Sequence, residues 1–328
     1  TVNGAEAAAG FTATGTGEAG ATVAVTMNAG GSGAVTKSVS VASDGTWSAT
    51  FGASEVPADG PQTIEAVQTD AVGNSSPTAN GTFTVDTAAT AQPTIATLAT
   101  DDIVNASEKA AGVAVTGTAE ANASVAVTFG ATTKTVTAAG DGSYSVSFTE
   151  AEMPGDGLTN ISVVATDAVG NASTAATRSV ELNTAPPGAP TFNAIATDDV
   201  VNLAEAQSAL TFSGTVPTGS SVSVTFNGTT VAANVDGSGN WTADLSSAGL
   251  PSDGQTSVSA TATDGNGNTA TSSRSFLVDT ATATPTINAV SGDDLISAAD
   301  AAAGVSVTGT AEAGASVAVT IAGGATHT

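Results

Sequence analysis

The chain repeats itself with a period of 97 residues, and this repetition constrains its fold more than any other feature. The segment TDAVGN, or TDGNGN in its third copy, ends in turn at Asn74, Asn171 and Asn268. A Pro-x-Asp-Gly segment recurs at the same spacing, starting at Pro57, Pro154 and Pro251. Because self-similarity at a fixed period indicates tandem modules, a single module has to account for the whole chain.

Stretches rich in Pro, Ala and Thr separate the modules. We divide the chain there into repeat 1 (residues 1–88), repeat 2 (89–185), repeat 3 (186–281) and repeat 4 (282–328). Repeat 1 is expected to lack its first strand and repeat 4 to be truncated, as in a window taken from a longer array. Any export signal is expected to lie outside this segment.

Each module is predicted to be a β-sandwich of about seven strands. In repeat 2, apolar and small polar residues alternate with a period of two, and clusters of Gly, Asn and Asp interrupt the alternation. Such alternation is typical of strands with one buried face. The predicted strands are 93–98, 112–119, 123–130, 134–139, 143–148, 159–167 and 173–182.

One short helical turn is also predicted in each module. An Asn stands three residues before a Glu at Asn3, Asn105 and Asn202. This is the pattern of a capping box, in which the two side chains bind each other's backbone N–H groups. The Glu residues of these pairs are therefore interpreted as structural.

Composition excludes several classes of function. Five Lys and Arg face 30 Asp and Glu, for a net charge of −25, and binding of a phosphate backbone requires clustered basic residues. No apolar run reaches the roughly 18 residues of a membrane span. Cysteine is absent and His327 is the only histidine, so disulfides and histidine-based catalysis are excluded. We expect neither nucleic acid binding, nor membrane insertion, nor enzymatic activity.

The segments TGTAEAGASVAVT (308–320), DGTWS (44–48), TDAVGN (69–74) and VDT (85–87) resemble bacterial immunoglobulin-like repeats over the whole chain. Such repeats occur in giant type I-secreted adhesins and biofilm-associated proteins. The resemblance implies an all-β fold of tandem Ig-like seven-strand sandwiches in an elongated rod. It also implies an extracellular location at the bacterial cell surface and, as in several members, Ca²⁺ between the domains.

Antiparallel alternation in such a sandwich assigns each loop to one of its two ends. Nearly all acidic residues are then predicted at the ends where consecutive repeats meet. The predicted metal ligands are Asp59, Asp86 and Asp167 between repeats 1 and 2; Asp101, Asp102, Asp156, Asn183 and Asp264 between repeats 2 and 3; and Asp198, Asp199, Asp253 and Asp279 between repeats 3 and 4. Glu120, Asp141, Asp236 and Glu312 are predicted to face the same junctions.

Carboxylates gathered in this way repel one another unless a cation joins them. Two of them about 4 Å apart repel by roughly 1 kcal/mol in water and about 4 kcal/mol at an effective dielectric of 20. Oxygen ligands at flexible spacing suit Ca²⁺ better than Mg²⁺, so Ca²⁺ is the predicted structural ion. The alternative for the Asp-Gly positions is simple turn formation, because Asp side chains bind the backbone two residues further on.

The sequence predicts a structural stalk segment of a large surface adhesin or biofilm matrix protein, with Ca²⁺ stiffening its junctions. Its expected partners are the neighbouring repeats of the same chain. One alternative is an adhesive module that binds glycan or protein through its loops. Trp47, Tyr144 and Trp241 are predicted to be large core anchors, and a carbohydrate-stacking platform is the alternative for these three residues. A second is a fibre or surface-layer component that associates with other copies through edge strands.

Overall fold

The computed structural model describes residues 1–321, apart from residues 29 and 32, and the backbone of residues 326 and 327. The side chain of His327 therefore lies outside the described residues. The chain divides into two compact units, Thr1–Ala185 and Pro186–Thr328, while the four repeat boundaries stay a prediction. None of the helices in the described part of the chain has the length and hydrophobicity needed to cross a bilayer.

Repeats 1 to 3 contain the same elements in the same order: a short strand, a short helix and then a series of longer strands. Repeat 1 contains β1 (Val2–Asn3), α1 (Gly4–Ala9), β2 (Phe11–Thr16), β3 (Thr22–Met27), β4 (Val35–Ser40), β5 (Thr46–Phe51), β6 (Gly60–Thr69) and β7 (Ala79–Asp86). Repeat 2 contains β8 (Ile103–Val104), α2 (Ala106–Ala111), β9 (Val113–Thr118), β10 (Ser124–Phe129), β11 (Thr132–Thr137), β12 (Ser143–Phe148), β13 (Gly157–Thr166) and β14 (Ala176–Leu182).

Repeat 3 adds one short strand to this series, and repeat 4 forms few regular elements within the described residues. Repeat 3 contains β15 (Val200–Asn202), α3 (Leu203–Ala206), β16 (Thr211–Thr215), β17 (Ser221–Phe226), β18 (Thr229–Ala232), β19 (Asn234–Val235), β20 (Asn240–Asp244), β21 (Gly254–Thr263) and β22 (Thr269–Asp279). Repeat 4 contains α4 (Ala298–Ala303), β23 (Val319–Thr320) and β24 (Thr326–His327). Single 3₁₀ turns occur at Ala53–Glu55, Glu150–Glu152, Ile195–Thr197, Ser246–Ala248 and Val290–Gly292.

The strands of repeats 1, 2 and 3 form two sheets in each repeat, which confirms the predicted all-β sandwich. The larger sheets have the orders β1-β7-β6-β3-β4, β8-β14-β13-β10-β11 and β15-β22-β21-β17-β18. The smaller sheets are β2-β5, β9-β12 and β16-β20-β19. The short first strand always runs parallel to the last strand of its repeat, so the start and the end of each module lie side by side.

The first predicted strand of repeat 2, residues 93–98, aligns beside β9 without becoming a regular strand. The N–H groups of Thr94 and Ala96 donate to the carbonyls of Thr118 and Thr116, each at 2.8 Å. The chain then crosses to the larger sheet through Ala99, Thr100 and Asp102, all of which have positive φ. The sequence pattern did not predict this crossover or the short strand β8 that follows it.

The core of each repeat consists of side chains that alternate along the strands. On β10, Val125, Val127 and Phe129 are completely buried, while the residues between them lie outward. The rings of Phe129 and Phe148 meet edge to face with centroids 5.6 Å apart, a favourable aromatic geometry. This period of two is the one that the sequence predicted.

The predicted capping boxes are present at the starts of α1, α2 and α3. Of the three predicted core aromatics, Trp241 and Tyr144 are buried, whereas Trp47 is only half-buried. Tyr144 donates its hydroxyl to the carbonyl of Thr94 at 2.7 Å, and burial raises the pKa of this phenol to about 12.

Candidate functional site: the junction between repeats 1 and 2

An Asp–Thr contact fixes the direction in which the chain leaves repeat 1. Asp59 Oδ1 accepts hydrogen bonds from the backbone N–H of Thr87 at 2.9 Å and from its hydroxyl at 2.8 Å. Thr87 directly follows the last strand, β7, and Asp59 lies in the loop that precedes β6. The predicted ligand Asp59 therefore serves here to tie the exit segment to its own sandwich.

The same contact recurs in the next two repeats. Asp156 accepts from the hydroxyl of Thr184 at 2.8 Å, and Asp253 accepts from that of Thr280 at 2.7 Å. Each Asp also accepts the backbone N–H of its Thr. These bonds hold the pKa of both carboxyl groups below the usual range, with the side-chain bond as the main cause.

On the repeat 2 side of the junction, the loop that connects β13 to β14 begins with a tight turn over residues 167–171. Asp167 Oδ1 accepts the backbone N–H groups of Val169, Gly170 and Asn171 at 2.8–2.9 Å, and Asp167 Oδ2 accepts Asn171 Nδ2 at 3.0 Å. Burial tends to raise the pKa of this carboxyl group, but the hydrogen bonds outweigh it and hold the pKa below its usual value. The loop is thus rigid through its own contacts.

Three hydrogen bonds join this loop to repeat 1, and we call them the junction clasp. Asn171 Nδ2 donates to the carbonyl of Asp86 at 2.9 Å, and Asn171 Oδ1 accepts the backbone N–H of Gly4 at 2.8 Å. Asn3 Nδ2 donates to the carbonyl of Val169 at 2.9 Å. Only 6% of Asn171 is exposed, so its amide is well protected from water.

The linker between the two repeats is held at both of its ends. Thr87 is bound by Asp59, as described above, and the hydroxyl of Thr90 donates to Glu120 Oε2 at 2.6 Å. Only 6% of Thr90 is exposed. Gln92 Nε2 then donates to the carbonyl of Ala175 at 2.8 Å. Two residues separate the anchored threonines, which leaves the linker little freedom.

The remaining predicted ligands have varied surroundings. Asp102 forms a two-pronged ion pair with Arg178, at 2.5 and 2.6 Å, and Asp199 forms the equivalent pair with Arg274. The arginines hold the pKa of both carboxyl groups below the usual range, that of Asp199 at about 2. Four of the other predicted ligands accept backbone N–H groups two to four residues further on: Asp86 from Ala88, Asp101 from Ile103, Asp198 from Val200, and Asp264 from Asn266 and Asn268. The backbone N–H of Asn183 donates to the carbonyl of Val104, and Asp279 ends β22 beside Asn202.

The ion pairs correct one expectation directly. With five Lys and Arg against 30 Asp and Glu, few ion pairs are expected at the repeat ends. Four of the five basic residues nevertheless form ion pairs, and two of these pairs engage the predicted ligands Asp102 and Asp199. Each Arg lies on the last strand of its sandwich and reaches the crossover loop, a pairing that the linear sequence does not reveal. Asp102 also accepts the N–H of Leu98 at 3.0 Å, so it stabilises the positive-φ crossover.

The arrangement of the acids does not by itself form a Ca²⁺ cage. Within the part of the chain that the structure describes, no three Asp, Glu or His side chains come close enough together to hold one ion. A Ca²⁺ site needs six to eight oxygens, whereas Asp59 and Asp167 direct theirs to hydrogen-bond donors of their own repeat. In this arrangement the oxygens of these two carboxylates are occupied by hydrogen-bond donors of the protein.

Sequence reasoning missed the residues that make the junction, namely Asn171, Thr87 and Thr90. The signals were present, because Thr follows an Asp or Asn at each repeat exit, at Thr87, Thr184 and Thr280. Asn171 closes the recurring segment TDAVGN, in which only the Asp had been considered as a functional side chain.

Family models for bacterial Ig domains match segments of repeats 1, 2 and 3. The model described as a bacterial Ig-like domain matches residues 8–87 and 191–280, which together exceed half of the chain. A second model, described as a bacterial Ig domain, matches residues 109–181. Among curated proteins, none matches the chain.

Solved structures of ice-binding adhesins are similar to the chain. One is a Ca²⁺-stabilised adhesin that helps an Antarctic bacterium reach out and bind ice, with 33% identity and a TM-score of 0.51 over 95% of this chain and 79% of that one. Another belongs to a 1.5-MDa bacterial ice-binding adhesin studied for host cell surface retention. It has 29% identity and a TM-score of 0.43, and the match covers 85% of this chain and 94% of that one. An Ig-like domain of the M. primoryensis ice-binding adhesin, with 29% identity, covers 29% of this chain and 100% of its own, with a TM-score of 0.24.

Proposed function

The chain belongs to the bacterial Ig-like domain family, and on that premise we propose that it is a structural stalk segment of a large surface adhesin or biofilm matrix protein. Members of this kind are non-enzymatic modules of extracellular, cell-surface proteins. The observation that carries the proposal is the junction between repeats 1 and 2, where the linker is anchored at Thr87 and Thr90 and the clasp closes on Asn171. A chain whose only task was to tether a binding domain would need no such junction.

The charge of the chain supports the same role. Thirty acidic residues against five basic ones give a net charge of −25, and a large net charge keeps molecules soluble and apart. Neighbouring stalks on one cell surface therefore repel one another. Contact with glycans or with a host surface is proposed to lie in regions outside this segment.

We further propose that Ca²⁺ adds stiffness at the junctions. The proposal is supported by the surplus of carboxylates near the repeat ends and by the likeness to a Ca²⁺-stabilised adhesin. The twelve side chains predicted from the sequence are the proposed ligands. Those that now accept hydrogen bonds within their own repeat, such as Asp59, would have to exchange a donor for the ion.

Small-angle scattering on the 328-residue chain tests both parts of the proposal. A compact domain of this length has a radius of gyration of about 20 Å, whereas tandem sandwiches placed end to end would give about twice that value. We expect the larger value at about 2 mM CaCl₂, above the roughly 10⁻⁴–10⁻³ M dissociation constants of extracellular Ca²⁺ modules. A value near 20 Å would contradict the stalk, and identical curves with CaCl₂ and with EDTA would contradict the Ca²⁺ part alone.

A further inference from the structure

We infer that the Asn171 side chain closes the junction between repeats 1 and 2 without any metal ion. The inference deepens the proposed function and rests on it for its purpose, since a stalk transmits force only through junctions that keep their geometry. A purely Ca²⁺-dependent junction would close only when the ion is bound, whereas here a neutral amide of the chain itself keeps the junction closed.

Both ends of the Asn171 amide are used across the junction. Oδ1 accepts the N–H of Gly4 at 2.8 Å, and Nδ2 donates to the carbonyl of Asp86 at 2.9 Å. The second hydrogen on Nδ2 goes to Asp167 Oδ2 at 3.0 Å, which fixes the orientation of the amide. One side chain thereby binds the start of α1 and the end of β7, the two neighbouring points where the chain enters and leaves the sandwich of repeat 1.

The same loop in repeat 1 provides an internal comparison. Asp70 accepts the N–H and Nδ2 of Asn74, at 2.8 Å each, as Asp167 does with Asn171. Yet Asn74 is exposed and Val72 is 84% exposed, whereas Asn171 is almost fully buried by repeat 1. The loop therefore takes its shape before it meets a partner, which lowers the entropy cost of closing the junction.

The contact is also close enough to be specific for its partner. A side chain at Gly4 would place its Cβ 3.2 Å from Asn171 Oδ1 and 3.5 Å from the carbonyl oxygen of Thr87. The equivalent positions in repeats 2 and 3 are Ala106 and Leu203. A large side chain at position 4 would therefore press directly on the Asn171 amide.

No cation is required by these contacts. The clasp joins amides to carbonyls and a backbone N–H, all of them neutral, and the nearby Asp167 carboxylate is already satisfied by four donors of its own loop. Chelation of Ca²⁺ should consequently leave the junction closed, and loss of the Asn171 amide should open it even though every carboxylate remains.

Spin-label distances across the junction test this inference, and the absence of cysteine from the chain allows two labels to be placed cleanly. Ser48→Cys and Ser145→Cys put labels at equivalent exposed positions of repeats 1 and 2. In EDTA we expect one narrow distance distribution for this doubly labelled chain. Asn171→Ala should broaden it roughly twofold in EDTA, because relative motion is the default where few contacts hold two domains.

Two further variants make the result specific. Asn74→Ala removes the same amide from the same loop shape at an exposed position, and it should leave the distribution unchanged. Gly4→Leu keeps Asn171 and its loop but fills the space that the amide occupies, so it should broaden the distribution as Asn171→Ala does. Circular dichroism of each variant establishes that the sandwiches remain folded.

The outcomes separate the inference from the proposed function. A broad distribution for the parent chain in EDTA, or an Asn171→Ala variant as narrow as Asn74→Ala, would overturn the clasp. If Ca²⁺ then narrowed the broad distribution, the Ca²⁺ proposal would stand by itself. If Ca²⁺ failed to narrow the distribution of Asn171→Ala while the parent stayed narrow in EDTA, the clasp would stand and Ca²⁺ stiffening of this junction would be contradicted.

Discussion

At the scale of single residues, the acidic side chains mainly organise their own backbone. Asp59, Asp156 and Asp253 each bind a threonine 27 or 28 residues further on. Asp70, Asp167 and Asp264 each close a loop on an asparagine four residues further on. The second arrangement is the turn chemistry expected of Asp, while the first fixes the direction of the linker.

The first prediction concerns the pKa of the buried phenol of Tyr144. Tyr144 is the only tyrosine, and because burial disfavours its charged form, its pKa is raised from 10.0 to about 12. Ultraviolet absorbance of tyrosinate should therefore show a midpoint about two pH units above the ordinary value in the folded chain. Circular dichroism followed in parallel identifies any unfolding, and a midpoint near 10 in the folded protein would contradict the buried position.

The second prediction concerns the acid stability of repeat 3, which depends on the Asp199–Arg274 ion pair. Asp199 has its pKa lowered from 3.8 to about 2, chiefly by the hydrogen bond from Arg274. Its contribution to stability is therefore present above pH 3.8 and is lost as the pH falls toward 2. Asp199→Asn should lower the melting temperature at neutral pH. Between pH 3.8 and about 2, the melting temperature of the variant should fall less steeply than that of the parent chain.

The matched control for that variant is Asp198→Asn, since Asp198 accepts the N–H of Val200 rather than an arginine. It should retain the acid dependence of the parent chain. Equal acid dependence in Asp199→Asn and the parent would show that the ion pair does not contribute. The effect is expected to be modest, because solvent-exposed ion pairs are screened.

At the scale of elements, the sequence predicted what depends on local periodicity. The strand pattern of Val125, Val127 and Phe129 fixes which face is buried, and the Asn105–Glu108 pair fixes where α2 begins. The crossover at Asp102 was not predictable in this way, because its positive φ is stabilised by Arg178, 76 residues away. Asn171 escaped notice for the same reason, since its partners Gly4 and Asp86 belong to another repeat.

The prediction at this scale concerns the Asn105 cap at the start of α2. Asn105→Ala removes the side chain that accepts the N–H of Glu108 at 3.0 Å, and it should lower the free energy of unfolding of repeat 2 by about 1 kcal/mol. Urea unfolding measures the change. Ser107→Ala, at an exposed position of the same helix, is the control and should stay within about 0.5 kcal/mol of the parent.

At the scale of the whole molecule, the period of 97 residues predicted tandem modules, and the alternation within one module predicted its strands. The family was identified by resemblance, through segments such as DGTWS (44–48) and VDT (85–87). The role of the junction could not be read from the sequence to the same depth. Acid content pointed toward cations, whereas the contacts between repeats 1 and 2 are made by side-chain amides, backbone carbonyls and a backbone N–H group. Composition reports charge and gives no information on which neutral groups meet.

The measurement that most directly tests the stalk is stretching of single molecules from end to end. If repeats 1, 2 and 3 are separate sandwiches that carry tension, the force trace should contain three abrupt unfolding events, each releasing about 300 Å of chain. They should occur with and without EDTA, with higher forces in Ca²⁺ if the ion stiffens the junctions. A smooth extension at low force, without separate events, would contradict the account of the chain as a stalk.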